Sequence, residues 1–208
     1  IPEKPRGSVM TEDCTFSPGL VDGDYAKSKA AATQLVLDAA RQGLRANVVL
    51  PSGIIGPGDV QGGSFTSMVR AFLAGKLPLA VRGGYDFVDV RDVARGILAC
   101  AQKGTPGRGY ILSGHYITIG RMLQMVGAAA RRRYRLPLSL ARLAAPYYEK
   151  RCLREHKPLF FTPYSVDVLA SNGQFSHGAA SEDFAYQPRP LEETLEDMTS
   201  WIQEAQRL

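Results

Sequence analysis

Long apolar runs are missing from this chain. No stretch of about 18 apolar residues occurs in its 208, so no conventional membrane-spanning helix is expected. Cysteine is scarce: Cys14, Cys100 and Cys152 are odd in number and far apart, which predicts neither a disulfide framework nor a thiolate metal site. They read as reduced thiols of a cytoplasmic protein. His115, His156 and His177 are too scattered for metal-ligand spacing, and no metal is expected. No signal peptide opens the sequence and no Gly-x-Gly-x-x-Gly occurs in it. A charge run of one sign is also short. The net charge is only +5, with Arg131, Arg132, Arg133 and Arg135 its one dense cluster. No nucleic-acid module accompanies them, so the cluster reads as a basic, solvated helix end favoured by the helix dipole, with no nucleic-acid partner.

What is present is ordinary globular composition. Hydrophobic residues make up 45% and charged residues 22%, enough to exclude disorder of the whole chain. The length suits one domain with a sizeable core, or a partial domain with a lobe.

The organising stretch is Tyr25-Ala26-Lys27-Ser28-Lys29. Tyr25 and Lys29 are four apart, so on a helix they share a face. A phenol beside an ammonium is a candidate proton donor, because the positive charge favours the phenolate. An amphipathic helix with a half-buried tyrosine and a solvated lysine explains the same pair. The helix should start at Asp24 as N-cap, run through Ala30, Ala31, Leu35, Val36, Ala39 and Ala40, and stop before Gly43. Arg45 to Leu50 then reads as a buried parallel strand, and residues 51–63 as a Pro/Gly-rich loop at its carboxyl end, with a turn over residues 51–57. Helix, strand and loop in that order are half of a doubly wound unit, whose ligands bind at the carboxyl ends of strands.

Three motifs now stand in order: Tyr25-x-x-x-Lys29, Leu50-Pro51-Ser52-Gly53-Ile54-Ile55-Gly56-Pro57-Gly58-Asp59, and Tyr85-Asp86-Phe87-Val88-Asp89-Val90-Arg91-Asp92-Val93-Ala94. Together they resemble the extended short-chain dehydrogenase/reductases of the NAD-dependent epimerase/dehydratase family, and most of all its dihydroflavonol reductase-like branch. The likeness covers nearly the whole chain, loosely after Gln124.

The resemblance implies an α/β fold: the carboxyl-terminal part of a Rossmann-type doubly wound parallel sheet, with a smaller, mainly helical substrate lobe. Residues 1–115 would form the Rossmann-like part, with lobe segments interspersed, and residues 116–208 the lobe. It implies an NAD(P)-dependent oxidoreductase that reduces a carbonyl to a secondary alcohol, or the reverse. Tyr25 would exchange the proton and Lys29 would assist it and bind the nicotinamide ribose. Pro51, Ser52, Gly53 and Ile54 would lie with their backbone near the nicotinamide of NAD or NADP. Nucleotide-sugar epimerisation or dehydration on the same scaffold is the alternative, as is a non-catalytic cofactor-binding homologue. The family's Gly-rich phosphate turn and catalytic Ser or Thr have no match here, and neither Ser8 nor Ser17 takes the latter place. The chain therefore reads as the carboxyl-terminal portion of a longer enzyme, inactive alone.

Along the rest of the chain, Ile1 to Gly23 should be a surface connection. The alanine-rich helix spanning Tyr25 to Arg41 has either a sheet-packing face or, as in the family, a homodimer face. Phe65 to Leu73 reads as a helix with Phe65, Met68, Val69 and Phe72 inward, ending at Gly75. Strands are expected at Leu79 to Val81 and Asp86 to Val90, around a Gly83-Gly84 turn. Asp89 and Asp92 are read as structural, one of them capping a helix whose buried side is Val93, Ala94, Ile97 and Leu98. Gly109 to Leu112 is a further strand, and helices follow from Thr118 to Arg132, from Leu138 to Lys150 and from Pro163. Tyr147, Tyr148, Phe160, Phe161 and Tyr164 line either a pocket or a core. The last helix, Pro190 to Leu208, should bury Leu191, Leu195, Met198 and Ile202.

Overall fold

The computed structural model describes residues 1–5, 7–76, 79–127, 134–155 and 162–205. Its chain divides into two compact units that interleave in sequence. The first comprises Ile1–Ile54, Asp86–His115 and Gln174–Arg189; the second comprises Ile55–Tyr85, Tyr116–Gly173 and Pro190–Leu208. The sequence reading had placed one main division after residue 115.

In the first unit, Pro18–Leu20 makes a 3-10 turn, and helix α1 then covers Asp24–Arg41. Asp24 is not its N-cap. Gly23 takes that place at φ 86°, a left-handed conformation that glycine adopts at little cost, and it offers no side-chain cap. Asp24 instead puts its charge in the first turn, where the dipole favours it. The helix ends as expected, at Gln42 followed by Gly43 at φ 107°.

Strand β1, Val48–Pro51, is shorter than expected and only half-buried, with Pro51 exposed. Strand β2 follows at once, Gly53–Ile55. The expected turn over residues 51–57 is therefore postponed to Gly56 (φ 138°) and Gly58 (φ 92°), because the β-branched Ile54 and Ile55 favour extended backbone.

In the second unit, Gly63 precedes helix α2, Ser64–Leu73, which buries Thr66, Val69, Ala71 and Phe72 and closes at Ala74 before Gly75. Strand β3, Leu79–Val81, is followed by β4, Gly84–Asp89. Back in the first unit, helix α3, Val90–Lys103, starts directly from β4 on the Asp89 cap, whose carboxylate accepts the Arg91 N–H. Its inner side is Asp92, Val93, Gly96 and Cys100; Ala94, Ile97 and Leu98, expected inside, are exposed. The inner side joins an apolar stripe, Val93 and Cys100, which pack in a core, to the arginine-held Asp92.

Strand β5, Gly109–Leu112, is wholly buried and pairs in parallel with β1, Val48 opposite Gly109 and Pro51 opposite Leu112. Strand β6, His115–Thr118, completes a sheet ordered β2-β4-β6, and the boundaries of the two units fall within these three strands. Helix α4, Ile119–Val126, begins on its Thr118 cap and stops far short of Arg132. Strand β7, Tyr134–Leu136, pairs in parallel with β3. Arg135 thus belongs to a strand and not to a helix end, and Arg131, Arg132 and Arg133 lie outside the described residues, as do His156, Phe160 and Phe161.

Helix α5, Leu138–Arg154, and helix α6, Pro163–Ala170, pack on each other around Ala141, Ala145 and Val166. Thr162 and Ser165 form a reciprocal capping box at the start of α6, as its Thr-Pro signature foretold. Tyr147 on α5 is 73% exposed and Tyr164 on α6 is exposed too, so neither lines an enclosed pocket. A short helix not expected from sequence, α7, Gly178–Phe184, belongs to the first unit. It packs on α3 and β5, and Val88, Val93, Cys100, Tyr110, Leu112, Ala180, Phe184 and Tyr186 form the core there. Helix α8, Leu191–Ala205, buries Leu191, Leu195, Met198 and Ile202 as expected. No described helix is long and apolar enough to cross a membrane.

Candidate active site

Tyr25 sits in the first turn of α1 and is 65% exposed. The Lys29 Nζ, one turn on, stands 5.6 Å from the centroid of the Tyr25 ring, so the phenol and the ammonium share the face that their spacing predicts. The chain reverses between α1 and β1 over residues 42–47, and the two elements pack together. The first turn of the helix therefore lies at the same end of the unit as the carboxyl end of β1, where α/β sheets present their ligands. The phenol is open to approach rather than closed into the core.

Beyond β1, Pro51 and Ile54 are exposed, and Ser52 and Gly53 are half-buried. Ser52 is tied to β5 by its N–H, which donates to the Leu112 carbonyl at 3.2 Å. Gly53 has no room for a side chain. A Cβ there would lie 2.9 Å from the Phe87 ring and 3.0 Å from the Asp86 carbonyl. The absent side chain lets this main chain pack closely against β4.

A third group adjoins these residues and was not singled out in sequence. Asp86, on β4, is 3% exposed, and its Oδ1 accepts the Gly114 N–H at 2.7 Å. Burial pushes its carboxyl above the usual carboxylate range, opposed by the Ser52 hydroxyl, the Gly114 N–H and the positive charge available to His115 and His177. The Ser52 Oγ is buried and makes no hydrogen bond of ordinary geometry among the described residues, although it lies near enough to favour the Asp86 charge. The one sequence signal was a carboxylate at a strand position followed by Phe87 and Val88, both buried.

Asp89 and Asp92, by contrast, are fully engaged. Arg91 meets both Asp89 oxygens at 2.9 and 2.7 Å, and the Arg189 Nε lies 3.5 Å from Asp89. Asp92 receives the Arg189 N–H at 2.8 Å, its guanidinium at 3.1–3.2 Å, and Arg95. Burial of Asp92 opposes its charge, yet the Arg189 hydrogen bonds and the two guanidinium charges outweigh it and hold the carboxyl below its usual range. Both aspartates act in the architecture, as expected. Among the described residues no group of His, Cys, Asp and Glu is placed to hold a metal. Cys100 and Cys152 are buried and Cys14 is half-buried; burial raises the thiols of Cys14 and Cys100, which suits inert groups.

A family profile described as the NAD dependent epimerase/dehydratase family matches residues 4–113, more than half of the chain. The "Sterol demethylase protein B" of Methylococcus capsulatus is 28% identical over 206 residues, covering 96% of this chain and 62% of that protein. The "Putative dihydroflavonol 4-reductase" of Synechocystis is 30% identical over 193 residues, covering 87% of this chain and 55% of that protein. The chain thus spans little more than half the length of these curated relatives. Among solved structures, gox2253 superposes with a TM-score of 0.80 at 27% identity, over all of this chain and 64% of that one. Other solved structures of the same fold hold NADPH in one case and NAD in another.

Proposed function

Because the chain belongs to the NAD-dependent epimerase/dehydratase family, we propose that it is the proton-transfer part of an NAD(P)-dependent oxidoreductase interconverting a carbonyl and a secondary alcohol. The observation that carries this is the exposed Tyr25 with the Lys29 ammonium beside its ring, at the carboxyl end of the parallel pair. The nicotinamide, when bound, supplies or accepts the hydride. Its fit is supported by the exposure of Pro51 and Ile54 on either side of the half-buried Ser52 and Gly53.

In the reducing direction the Tyr25 Oη donates its proton to the carbonyl oxygen, and in the oxidising direction the phenolate takes a proton from the alcohol. The Lys29 charge stabilises that phenolate and, across the phenol, holds the ribose of the dinucleotide. Pro51, Ser52, Gly53 and Ile54 form the floor against which the nicotinamide is oriented. The phosphate-binding turn is assigned to polypeptide outside the 208 residues, in keeping with the greater length of the curated relatives. A second copy of the chain is proposed to meet the outer side of α1, where Leu35 is 71% exposed, and light scattering of Leu35→Lys against the parent tests this by loss of the dimer.

The deciding experiment is on the full-length protein. With a panel of ketones, a reductase consumes one reduced cofactor for each alcohol formed. Net conversion of a nucleotide sugar with the cofactor recycled, or cofactor binding with no turnover, would overturn the oxidoreductase reading.

A further inference from the structure

Residues just past the ends of β1 and β5 meet the middle of β4 near one carboxylate. Asp86 belongs to β4, Gly114 follows β5 and Ser52 follows β1. The contact is at backbone distance on both sides. A Cβ on Gly114 would lie 2.0 Å from the Phe87 carbonyl, and one on Gly53 would meet the Asp86 carbonyl and the Phe87 ring. The Gly114 N–H enters the Asp86 carboxylate at 2.7 Å, and the Ser52 hydroxyl is buried without a hydrogen-bond partner among the described residues. The Ser52 N–H meanwhile holds the Leu112 carbonyl. Ser52 and Gly53 therefore have two supports, the end of β5 and the Asp86 position of β4.

A carboxylate kept 3% exposed is costly, since burial disfavours its charge and an apolar residue would fill the strand without that cost. Its neighbours explain why it is kept. Asp89 and Asp92 are locked by arginines, whereas Asp86 takes a backbone N–H and faces the Ser52 hydroxyl, so its free-energy cost is spent on fixing main chain at the end of the sheet. We propose, resting on the cofactor reading above, that Asp86 is a positioning residue: it sets the Ser52, Gly53 and Ile54 backbone at the height that seats a nicotinamide ring. It touches neither cofactor nor substrate, and its effect passes through Gly114 to the end of β5, whose Leu112 carbonyl holds the Ser52 N–H.

The test compares two ligands on the full-length protein. One is the intact dinucleotide, NAD or NADP, whichever binds more tightly. The other is the same molecule without its nicotinamide, ADP-ribose or its 2′-phosphate. In the parent the dinucleotide should bind more tightly than the fragment. If it does not, the cofactor reading of Pro51, Ser52, Gly53 and Ile54 fails, and this proposal with it. Given that preference, Asp86→Ala should weaken the dinucleotide about tenfold, the loss expected for one buried polar partner, and leave the fragment unchanged. Asp86→Asn, whose side-chain oxygen still accepts from Gly114, should recover most of the preference. Should Asp86→Ala not fold, Asp86→Ser, one atom too short to reach Gly114, serves instead. A parent-like preference in Asp86→Ala or Asp86→Ser, or equal weakening of both ligands, would overturn the positioning role while the cofactor site stands.

Discussion

Helix α1 begins on a glycine without a side-chain cap and leaves Tyr25 65% exposed beside Lys29, whereas α3 begins on Asp89 and encloses two aspartates among Arg91, Arg95 and Arg189. Both helix starts carry ionisable groups that a reader of the sequence would credit with acid/base work. The difference is in what already holds those groups. Asp89 and Asp92 have their oxygens occupied by protein donors, so each is committed to the fold. Tyr25 is 65% exposed, and the Lys29 ammonium stands 5.6 Å from its ring centroid on a flexible stem. The α1 pair faces solvent, whereas the α3 carboxylates are enclosed.

The largest effect that separates the two helices is on turnover. In the full-length protein, Tyr25→Phe should cost roughly 10²–10⁴-fold in kcat, the range for a lost proton donor. Thermal stability should change by no more than about 0.5 kcal/mol, as for an exposed site. Dinucleotide affinity should hold. Parent-like kcat in Tyr25→Phe, with folding shown by circular dichroism, would make α1 as architectural as α3.

Next comes the stability of α3. Asp92→Ala removes the carboxylate that takes the Arg189 N–H and guanidinium and leaves that side chain, 11% exposed, with the longer 3.5 Å contact to Asp89; it should cost about 3 kcal/mol in denaturant unfolding, the lower end for loss of one member of a buried pair. Any fall in turnover should track the unfolded fraction. A loss of kcat in fully folded Asp92→Ala would erase the contrast.

These two helices also show what was legible beforehand. The Tyr25 and Lys29 pair was readable because four-residue spacing on a helix fixes a shared face whatever the surroundings. The same logic found the inner side of α8, and on α2 it found Val69 and Phe72, but Phe65 and Met68 are only half-buried there and the buried Thr66 and Ala71 were missed. It failed in part on α3, where Ile97 and Leu98 look like core residues but lie 44% and 64% exposed, while the inner side holds Val93 and Cys100 together with the arginine-paired Asp92. Arg189 is 97 positions away from Asp92, and no local pattern announces it. β7 and α7 escaped notice for another reason: three and seven residues are too few for a period to show. Asp86 was hidden because a carboxylate in a strand resembles a solvated position until the strand ends around it are known.

A smaller effect tests how α1 starts. Gly23→Ala places a Cβ at φ 86°, where an L side chain is strained, and should cost about 1 kcal/mol in equilibrium unfolding. Replacing Asp24 by Asn should matter less, since it supplies dipole charge and not the cap. The opposite order would restore Asp24 as the residue that organises the helix start.

The smallest difference concerns acid. The Asp92 carboxyl is held below its usual range, so the folded protein binds that proton less readily than the unfolded chain does. Its stabilisation is present above the unfolded value of about 4 and is lost as pH falls through the depressed folded value. Asp86 has the opposite sign. Its raised carboxyl favours the protonated folded form, so its contribution is full below the unfolded value and lost as pH rises through the folded one. Asp92→Asn should therefore flatten the acid limb of a stability–pH curve. Asp86→Asn should steepen the same limb, by removing a term that rises as pH falls. Asp59, held down by the Thr66 hydroxyl, also contributes to the parent slope, so the curves are compared as differences from the parent. Equal slopes in both variants would show that the two buried carboxylates titrate alike, and that pairing with arginine is not what distinguishes them.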